Sequence, residues 1–428
     1  MKIYRVGESS FHQWLERLEN RGETLESQVI EDVRRIIQDV RARGDQALIE
    51  YTARWDGFQV SSPQELVISR EGMEKAYASL PKDLAQSLEV ACERIRRFHE
   101  AQREKSWFIY EDNGAILGQK VTPLERVGAY VPGGRASYPS SLLMNVIPAR
   151  VAGVKEVVVT SPTPGGEVNE ALLGAAYLAG VDRIYRIGGA QAVAAMAYGT
   201  DLLPPVDKIV GPGNIYVATA KQLVFGKVDI DMVAGPSEIL VLADETPSPS
   251  HVAADLLSQA EHDPLASAVL ITPSLELAQA VAREVDVLLD SLATSDTARE
   301  ALTNYGGAVI CTTLKEGIDL VNRLAPEHLE ILTKDPWGVL PLVNHAGAIF
   351  LGPYSPEPMG DYVAGPNHVL PTGGRARFSS PLGTGDFVKH SSVISMSREA
   401  FLAFKEEVIT LASWEGLPAH AQAVKVRD

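Results

Sequence analysis

The chain of 428 residues has little of several features that mark specialised protein classes. Its only cysteines are Cys92 and Cys311, which excludes a disulfide-stabilised scaffold and fits a reducing compartment. We expect both to be buried structural residues. There is no run of about 18 apolar residues, so no membrane-spanning helix is expected. Charges interrupt residues 1–23, which therefore show no signal-peptide core, and the cytoplasm is the expected location.

Positive charge is also scarce. Lys and Arg total 39 against 55 Asp and Glu, which gives a net charge of −16, and no basic cluster stands out. Such a chain repels phosphate backbones and anionic lipid surfaces, so neither nucleic-acid nor membrane partners are expected. The apolar content of 45% and charged content of 22% are typical of a globular enzyme and exclude a disordered or collagen-like chain.

The common nucleotide and metal signatures are absent. After Gly211 and Gly213, Tyr216 stands where the third glycine of G-x-G-x-x-G would be, and there is no Walker A loop, CxxC or HExxH. Glycine nevertheless recurs in three turns where a backbone could approach a ligand closely, namely GAYVPGG, IGGAQA and VGPGN. Nucleotide binding and ordinary tight turns both fit these glycines.

What the sequence does contain is a regular alternation of strands and helices. Residues 1 to about 105 are predicted to be mainly helical, and from Arg126 short apolar strands alternate with helices in two series. Strands separated by helices require crossover connections, so we predict an α/β fold with parallel sheets covered on both faces. The two series suggest two doubly wound units, and a duplicated origin and separate origins both remain open. Residues 352–386 are predicted to be a functional loop, and the last forty or so residues helical.

Several polar side chains are candidate metal ligands. Gln259 and His262 lie three residues apart on a predicted helix and therefore project from one face. Asp361 and His368 belong to the predicted loop, and His420 lies near the end of the sequence. Histidine and aspartate suit zinc, although glutamine is not among its usual ligands. A zinc site and unrelated surface residues both fit this pattern.

Glu327 and His328, adjacent in RLAPEHLEI, are candidate acid–base residues. They follow a predicted helix and precede an apolar strand. One of them could move protons while the other activates water on the same substrate. A solvated pair in a loop is the alternative interpretation.

In combination, these stretches resemble the histidinol dehydrogenase family. The resemblance covers most of residues 125–420, in family order, and rests on the following segments: RVGAYVPGGRASYPSSLLMNVIPARVAGV, IGGAQAVAAMAYGT, KIVGPGNIYVATAK, DMVAGPSEILVLAD, SQAEHDP, APEHLEI, GDYVAGPNHVLPT, FVKHSS and EGLPAH.

The resemblance implies a fold of two incomplete Rossmann-like domains with small helical terminal domains in an intertwined homodimer. The expected division has four parts. Residues 26–129 together with 238–384 would carry most zinc and substrate residues, and residues 130–237 would contact NAD. Residues 1–25 and 385–428 would be the dimerisation segments.

The resemblance also implies residue roles. Glu327 and His328 match the catalytic pair. The NAD contacts would be Tyr130, Gln191 and Asn214. One zinc ion per subunit would be held by Gln259, His262, Asp361 and His420, with His420 supplied by the other subunit. Substrate would be bound by Ser237, His368 and Glu415, together with His328 and the four zinc ligands.

The implied activity is the four-electron oxidation of L-histidinol to L-histidine through L-histidinal, with two NAD, at the end of histidine biosynthesis. Zinc can hold the substrate nitrogens as a template. His328 can accept the hydroxyl proton, and Glu327 can activate the water that adds to the aldehyde. The alternatives are a related dehydrogenase for another polar alcohol, such as a sulfonated diol, and a non-catalytic nucleotide-binding or assembly protein. NADH formation with L-histidinol would separate all three.

Overall fold

The computed structural model describes residues 1–21, 27–133, 138–233 and 235–427. The expected domain boundary between residues 25 and 26 lies outside these ranges, as does Gly134 of the GAYVPGG turn. No helix within the described ranges is long and apolar enough to cross a lipid bilayer. The described strands are β1 (Ile3–Arg5), β2 (Val67–Ile68), β3 (Trp107–Tyr110), β4 (Ile116–Pro123), β5 (Arg126–Tyr130), β6 (Glu156–Thr160), β7 (Arg183–Tyr185), β8 (Lys208–Val210), β9 (Asp229–Ile230), β10 (Glu238–Ala243), β11 (Ser267–Thr272), β12 (Gly307–Ile310), β13 (His328–Leu332), β14 (Ala348–Leu351) and β15 (Val388–Ser395).

Helices connect most of these strands. The α-helices are α1 (Ser9–Glu19), α2 (Ser27–Arg43), α3 (Asp45–Tyr51), α4 (Arg70–Ser79), α5 (Lys82–Glu100), α6 (Pro139–Ala152), α7 (Glu170–Ala179), α8 (Gly189–Tyr198), α9 (Ile215–Val224), α10 (Pro249–Ala260), α11 (Leu275–Leu289), α12 (Ser295–Tyr305), α13 (Leu314–Leu324), α14 (Pro336–Val339), α15 (Glu357–Tyr362), α16 (Arg398–Trp414) and α17 (Pro418–Lys425). Short 3₁₀ turns and one π-helical turn at Thr52–Asp56 complete the described helical segments.

The strands form three sheets. Sheet A has the order β1-β12-β11-β10-β13-β14, and all of its pairs are parallel. Sheet B has the order β2-β7-β6-β5-β8-β9 and is parallel apart from the β2–β7 pair. Sheet C is antiparallel, with the order β15-β4-β3. The predicted mixed α/β fold with parallel sheets is confirmed.

Sheets A and B share one strand order once their edge strands β1 and β2 are set aside. In each sheet the third, second, first, fourth and fifth strands of a chain segment lie side by side. The direction of strand addition therefore reverses between β10 and β13 in sheet A and between β5 and β8 in sheet B. A duplication, which the sequence left open, would produce this shared order.

Sheets A and B are each buried on both faces by helices. On sheet B, one core joins β5 and β6 to α5 and α6 through side chains such as Ile95 and Leu143, and the other joins α2 to α8 and α9 through Val33 and Val193. The two cores of sheet A contain α10–α12 on one face and α1 and α13 on the other. Helices α2 and α5 therefore pack on sheet B, because their apolar faces match its cores. The structure differs here from the expected grouping of 26–129 with 238–384, and β5 spans the expected boundary between 129 and 130.

Two segments differ from the sequence-based prediction. Residues 352–386 are not entirely loop, because α15 forms within them; its first backbone N–H, from Glu357, donates to a carboxylate oxygen of Glu330 on β13 at 2.8 Å. The predicted helical end of the chain begins with a strand, β15, which pairs with β4 along eight residues. Both elements depend on partners distant in sequence, and local patterns do not contain that information.

A buried ion pair fixes the VGPGN turn after β8. Lys221 of α9 forms an ion pair with Asp231, and their side chains are 3% and 1% exposed. The Lys221 ammonium also donates to the Gly211 carbonyl at 2.9 Å, while the Gly211 N–H donates to the Asp231 carboxylate at 2.7 Å. Gly211 has a φ of +106° and its Cα approaches Tyr130 so closely that a Cβ would overlap the Tyr130 carbonyl. The ion pair therefore holds a turn that requires glycine.

We expect Asp231→Asn to lower the free energy of unfolding by about 3 kcal/mol, because it leaves the Lys221 ammonium buried without a counter-charge. Urea unfolding followed by circular dichroism measures this change. The control is Asp319→Asn, which breaks the exposed Lys315–Asp319 pair and should change stability by less than about 0.5 kcal/mol. Equal effects of the two substitutions would contradict the assigned importance of the buried pair.

Candidate active site

The predicted catalytic pair lies at the amino end of β13, next to the amino end of β10. His328 is the first residue of β13, and Glu327 immediately precedes it. Alternation along β13 sends Leu329 and Ile331 into the core with α1 and α13. His328 and Glu330 therefore point to the opposite face, where α10 lies. This position at the amino edge of sheet A was not expected, since ligands of open α/β sheets usually bind beyond the carboxyl ends.

A backbone hydrogen bond orients the His328 ring. Its Nδ1 lies 2.9 Å from the carbonyl oxygen of Glu238, the first residue of β10. A carbonyl only accepts, so the neutral ring carries its proton on Nδ1 and keeps the lone pair on Nε2. That Nε2 is buried and has no hydrogen-bond partner among the described residues. Burial lowers the pKa of His328, and the neutral, basic form is favoured.

Glu327 is held beside this ring. Its carboxylate accepts from the Glu238 backbone N–H at 2.8 Å and lies 3.6 Å from His328 Nδ1. Only 6% of Glu327 is exposed. Burial raises its pKa well above the usual range, and the nearby Glu238 carboxylate raises it further. Two proton-exchanging groups with oppositely shifted pKa values therefore lie side by side in a buried position, as at many functional sites.

Three of the four predicted metal ligands lie around the same space. Gln259 is in the last turn of α10, and its buried side-chain oxygen has no hydrogen-bond partner in the described part of the chain. Its amide nitrogen is 3.5 Å from His262 Nδ1. Asp361 Oδ1 on α15 lies 4.0 Å from His328 Nε2. Burial raises the pKa of Asp361, and the nearby Glu357 and His262 side chains oppose that rise, so all three lie close together. The structure does not bring His420 to this cluster, because in its own chain it is exposed on α17 with no described side-chain contact there.

Sequence reasoning missed Glu357. Ligand atoms of His328, Glu357 and Asp361 all lie within 4.8 Å of one another, an arrangement able to hold a metal ion. Glu357 is 1% exposed, and one of its carboxylate oxygens accepts from Ser258 at 3.2 Å, while the other has no hydrogen-bond donor among the residues described. Burial raises its pKa to about 7. The spacing of four residues between Glu357 and Asp361 would have paired them on one helix face, but this segment was predicted to be a loop.

The donor set fits a divalent cation such as Zn²⁺. It offers imidazole nitrogen and carboxylate and amide oxygen, which are borderline to hard ligands. The buried Gln259 Oε1 has no hydrogen-bond partner among the described residues, and a bound cation would satisfy it.

Of the three remaining predicted substrate residues, two lie near the catalytic pair and the donor cluster, and the third lies away from them. His368 lies beside Asp361, whose backbone oxygen is 3.0 Å from His368 Nδ1, and burial lowers the pKa of His368 to about 4. Ser237 directly precedes β10 and is partly buried next to Glu238. Glu415 follows α16 and is exposed, away from the cluster.

The predicted NAD contacts lie at the carboxyl edge of sheet B. Tyr130 ends β5, and its hydroxyl accepts from the Gly189 N–H at 3.2 Å at the start of α8. Gln191 in α8 is 2% exposed, with a buried side-chain oxygen that has no partner in the described chain. Asn214 caps α9 by accepting from the N–H groups of Tyr216 and Val217 at 3.1 and 3.2 Å. Tyr130 and Asn214 lie at the ends of β5 and β8, which flank the reversal where dinucleotides bind in related folds, and Gln191 follows β7, two strands away from β5.

Burial raises the pKa of Tyr362, which directly follows Asp361, and the nearby Asp361 and Glu357 carboxyls raise it further. Tyr138, at the start of α6 after β5, is a smaller cause of the same shift, so the start of α6 lies near Tyr362. The roles assigned to individual residues remain predictions.

We expect His262→Ala to abolish retention of Zn²⁺, because it removes a nitrogen donor beside Gln259 and Asp361. Metal content after dialysis against a weak chelator, measured by plasma mass spectrometry, tests this. The control is His251→Ala, which removes an exposed imidazole from the other end of α10 and should leave metal content unchanged. Full zinc retention in His262→Ala would exclude His262 as a ligand.

Comparisons with known proteins agree with this geometry. Residues 19–428 match the family model described as histidinol dehydrogenase. The chain is 51% identical over 427 residues to the histidinol dehydrogenase of Geobacter sulfurreducens, covering 100% of both chains. It is 55% identical over 397 residues to that of Bacillus subtilis, covering 92% of each. The crystal structure of histidinol dehydrogenase from Elizabethkingia anophelis superposes with a TM-score of 0.94 at 34% identity, covering 100% of this chain and 98% of the other. The chain therefore belongs to the histidinol dehydrogenase family.

Proposed function

We propose that this chain oxidises L-histidinol to L-histidine through L-histidinal, with one Zn²⁺ per subunit and two NAD. The observation that carries the proposal is the unpartnered, buried Nε2 of His328 facing the donor cluster of Asp361 and Glu357. A base in that position can reach a hydroxyl group held at the cluster. The dehydrogenase relatives and the family match support the same reaction.

The protein groups divide the chemistry between them. Bound zinc would hold the amine and imidazole of the substrate and orient its carbinol, while NAD would accept the hydride. His328 takes the hydroxyl proton on Nε2, because Nδ1 is committed to Glu238. His368 stays neutral because of its burial, so its ring can hydrogen-bond the substrate imidazole without repelling a cation.

The second oxidation needs water rather than a thiol. Cys92 and Cys311 are both buried, and burial raises the pKa of Cys311 to about 11, which opposes thiolate formation. Glu327 is instead placed to accept a proton from the water that adds to the aldehyde, and its raised pKa makes its carboxylate a stronger base than an exposed glutamate. The gem-diol then loses the second hydride. An enclosed site retains the aldehyde between the two steps.

The terminal segments support a homodimer with shared active sites. The segment from β15 to α17 carries Glu415 and His420, which do not reach the cluster in their own chain. It also exposes large apolar side chains, among them Ile394, Leu411 and Trp414. Exposed apolar side chains of this number need cover. A two-fold partner would cover them and deliver its own Glu415 and His420 to the cluster.

The strand order also supports two incomplete Rossmann-like domains. The dinucleotide-binding order is 3-2-1-4-5-6, and sheets A and B each contain the first five positions of that order. Nothing favours oxidation of a different polar alcohol, and the acid–base pair beside the donor cluster argues against a non-catalytic role.

We expect the wild type to form two NADH per L-histidinol. We expect Glu327→Gln to lose the second oxidation, that of histidinal. That substitution keeps the shape but removes the base, so histidinal oxidation should fall by about 10²–10⁴-fold and at least as much as histidinol oxidation. Absorbance of NADH with each substrate measures both rates, and His251→Ala is the control. Wild-type histidinal oxidation by Glu327→Gln would contradict water activation by Glu327.

Subunit mixing tests the shared site. His420→Ala and His262→Ala should each be inactive as homodimers. In a mixed dimer with shared sites, one site carries both changes and the other carries neither. If half the dimers are mixed, roughly a quarter of the sites should recover. No recovery, under conditions where exchange of labelled subunits is demonstrated, would show that His420 serves its own chain.

A further inference from the structure

Glu238 forms reciprocal backbone bonds with the catalytic glutamate. The Glu238 N–H donates to the Glu327 carboxylate at 2.8 Å, and the Glu327 N–H donates to the Glu238 carboxylate at 3.2 Å. The Glu238 carbonyl also fixes His328. One residue therefore contacts both members of the pair from the neighbouring parallel strand.

The Glu238 carboxylate also reaches the loop that follows His368. It accepts from the Gly373 N–H at 3.0 Å, and nearby the Gly235 N–H donates to the Thr372 hydroxyl at 2.6 Å. Three segments are thus tied at Glu238: the start of β10, the start of β13 and the loop after His368. Ser237, the Glu327–His328 pair and His368 lie within or next to these segments, and they are predicted to bind substrate or move protons.

Two carboxylates so close together repel each other in a buried setting. Arg21 supplies the opposite charge: its guanidinium donates to Glu238 at 2.7 Å and to the Pro236 carbonyl at 3.1 Å. The Arg21 side chain is 2% exposed and that of Glu238 is 14% exposed. The guanidinium also lies 5.6 Å from the ring centre of Tyr305.

We propose that Arg21 and Glu238 are positioning residues that hold Glu327 and His328 in their catalytic arrangement. Arg21 holds the Glu238 carboxylate turned toward the Glu327 and Gly373 N–H groups. Without that cation, an uncompensated buried charge sits next to Glu327, and the carboxylate must turn away or take up a proton. Either change releases the backbone at Glu327 and Gly373.

The proposal assigns a role in the active site to a residue expected only in a dimerisation segment. Arg21 follows α1, which packs under sheet A with α13. Its described side-chain hydrogen bonds go to Glu238 and to the Pro236 carbonyl, and none goes to the donor cluster. These hydrogen bonds therefore act on the catalytic pair through Glu238, and displacement of a reacting group by about 1 Å costs about 10²-fold in rate.

The test compares steady-state kinetics of Arg21→Met, Arg21→Lys and Glu238→Gln. This inference rests on the proposed function, so NADH formation by the wild-type holoenzyme with L-histidinol is measured first; its absence would reject the function itself. With an active wild type, Arg21→Met should lower kcat about 100-fold with KM for histidinol and zinc content unchanged, since a kcat loss alone marks transition-state geometry. Arg21→Lys, which restores the charge, should recover at least about tenfold of that loss. Glu238→Gln keeps the volume but offers one acceptor oxygen in place of two, so kcat should fall about tenfold or more.

The matched control is Arg323→Met. It breaks the ion pair between Arg323 of α13 and Glu19 of α1, which does not involve Glu238. The two side chains are 53% and 36% exposed. Its kcat should equal that of the wild type. A normal kcat in both Arg21→Met and Glu238→Gln would overturn the proposal. A loss of zinc together with a lower unfolding midpoint in those variants would also overturn it, and so would an equal loss of kcat in Arg323→Met. Each of these results would show a general effect on stability. Should Arg21→Met not fold, the kcat and KM of Glu238→Gln decide the question alone.

Discussion

The parallel register between β10 and β13 is the constraint on which the candidate site depends. It places Ile239 opposite His328, so the peptide groups of Glu238 lie beside Glu327 and the His328 ring. From this register follow the tautomer of His328, the anchoring of Glu327 and the position of the loop after His368. A shift by one residue would turn His328 and Glu330 toward α13 and dissolve the cluster.

Much of the fold could be predicted from the sequence because its determinants are local. Apolar runs such as EVVVT and EILVLA, followed by helices and glycines, indicate buried parallel strands, and β6 and β10 lie there. α15 and β15 could not be predicted in this way. Glu330 satisfies the first N–H of α15, and the partner of β15 is more than 260 residues away in sequence. The packing of α2 and α5 on sheet B is equally a property of the assembled cores.

The candidate site was predictable only where chemistry and sequence adjacency coincide. The pair Glu327–His328 stands out because an acid and a base are neighbours, and Gln259–His262 because helix periodicity aligns them. Glu357, Glu238 and Arg21 do not stand out. Glu357 lies in an unrecognised helix, Glu238 contacts Glu327 across 89 residues of sequence, and Arg21 contacts Glu238 across 217. The resemblance to known relatives supplied Tyr130, Gln191 and Asn214, whose types and spacing alone would not have separated them from ordinary turn residues.

Sheet C is attached to sheet B through a short junction between β4 and β5. Only Leu124 and Glu125 separate β4 from β5, and the Leu124 N–H donates to the Phe387 carbonyl at 2.9 Å just before β15 begins. Phe387 is fully buried in a core that also contains Val127 and Ala129 of β5. Strands β4 and β15 are therefore joined to this core at one end, and α16 and α17 follow the other end of β15. The same junction adjoins β5, the strand that ends at Tyr130. The placement of the terminal helices relative to Tyr130 therefore depends on the packing of a few residues around Leu124 and Phe387.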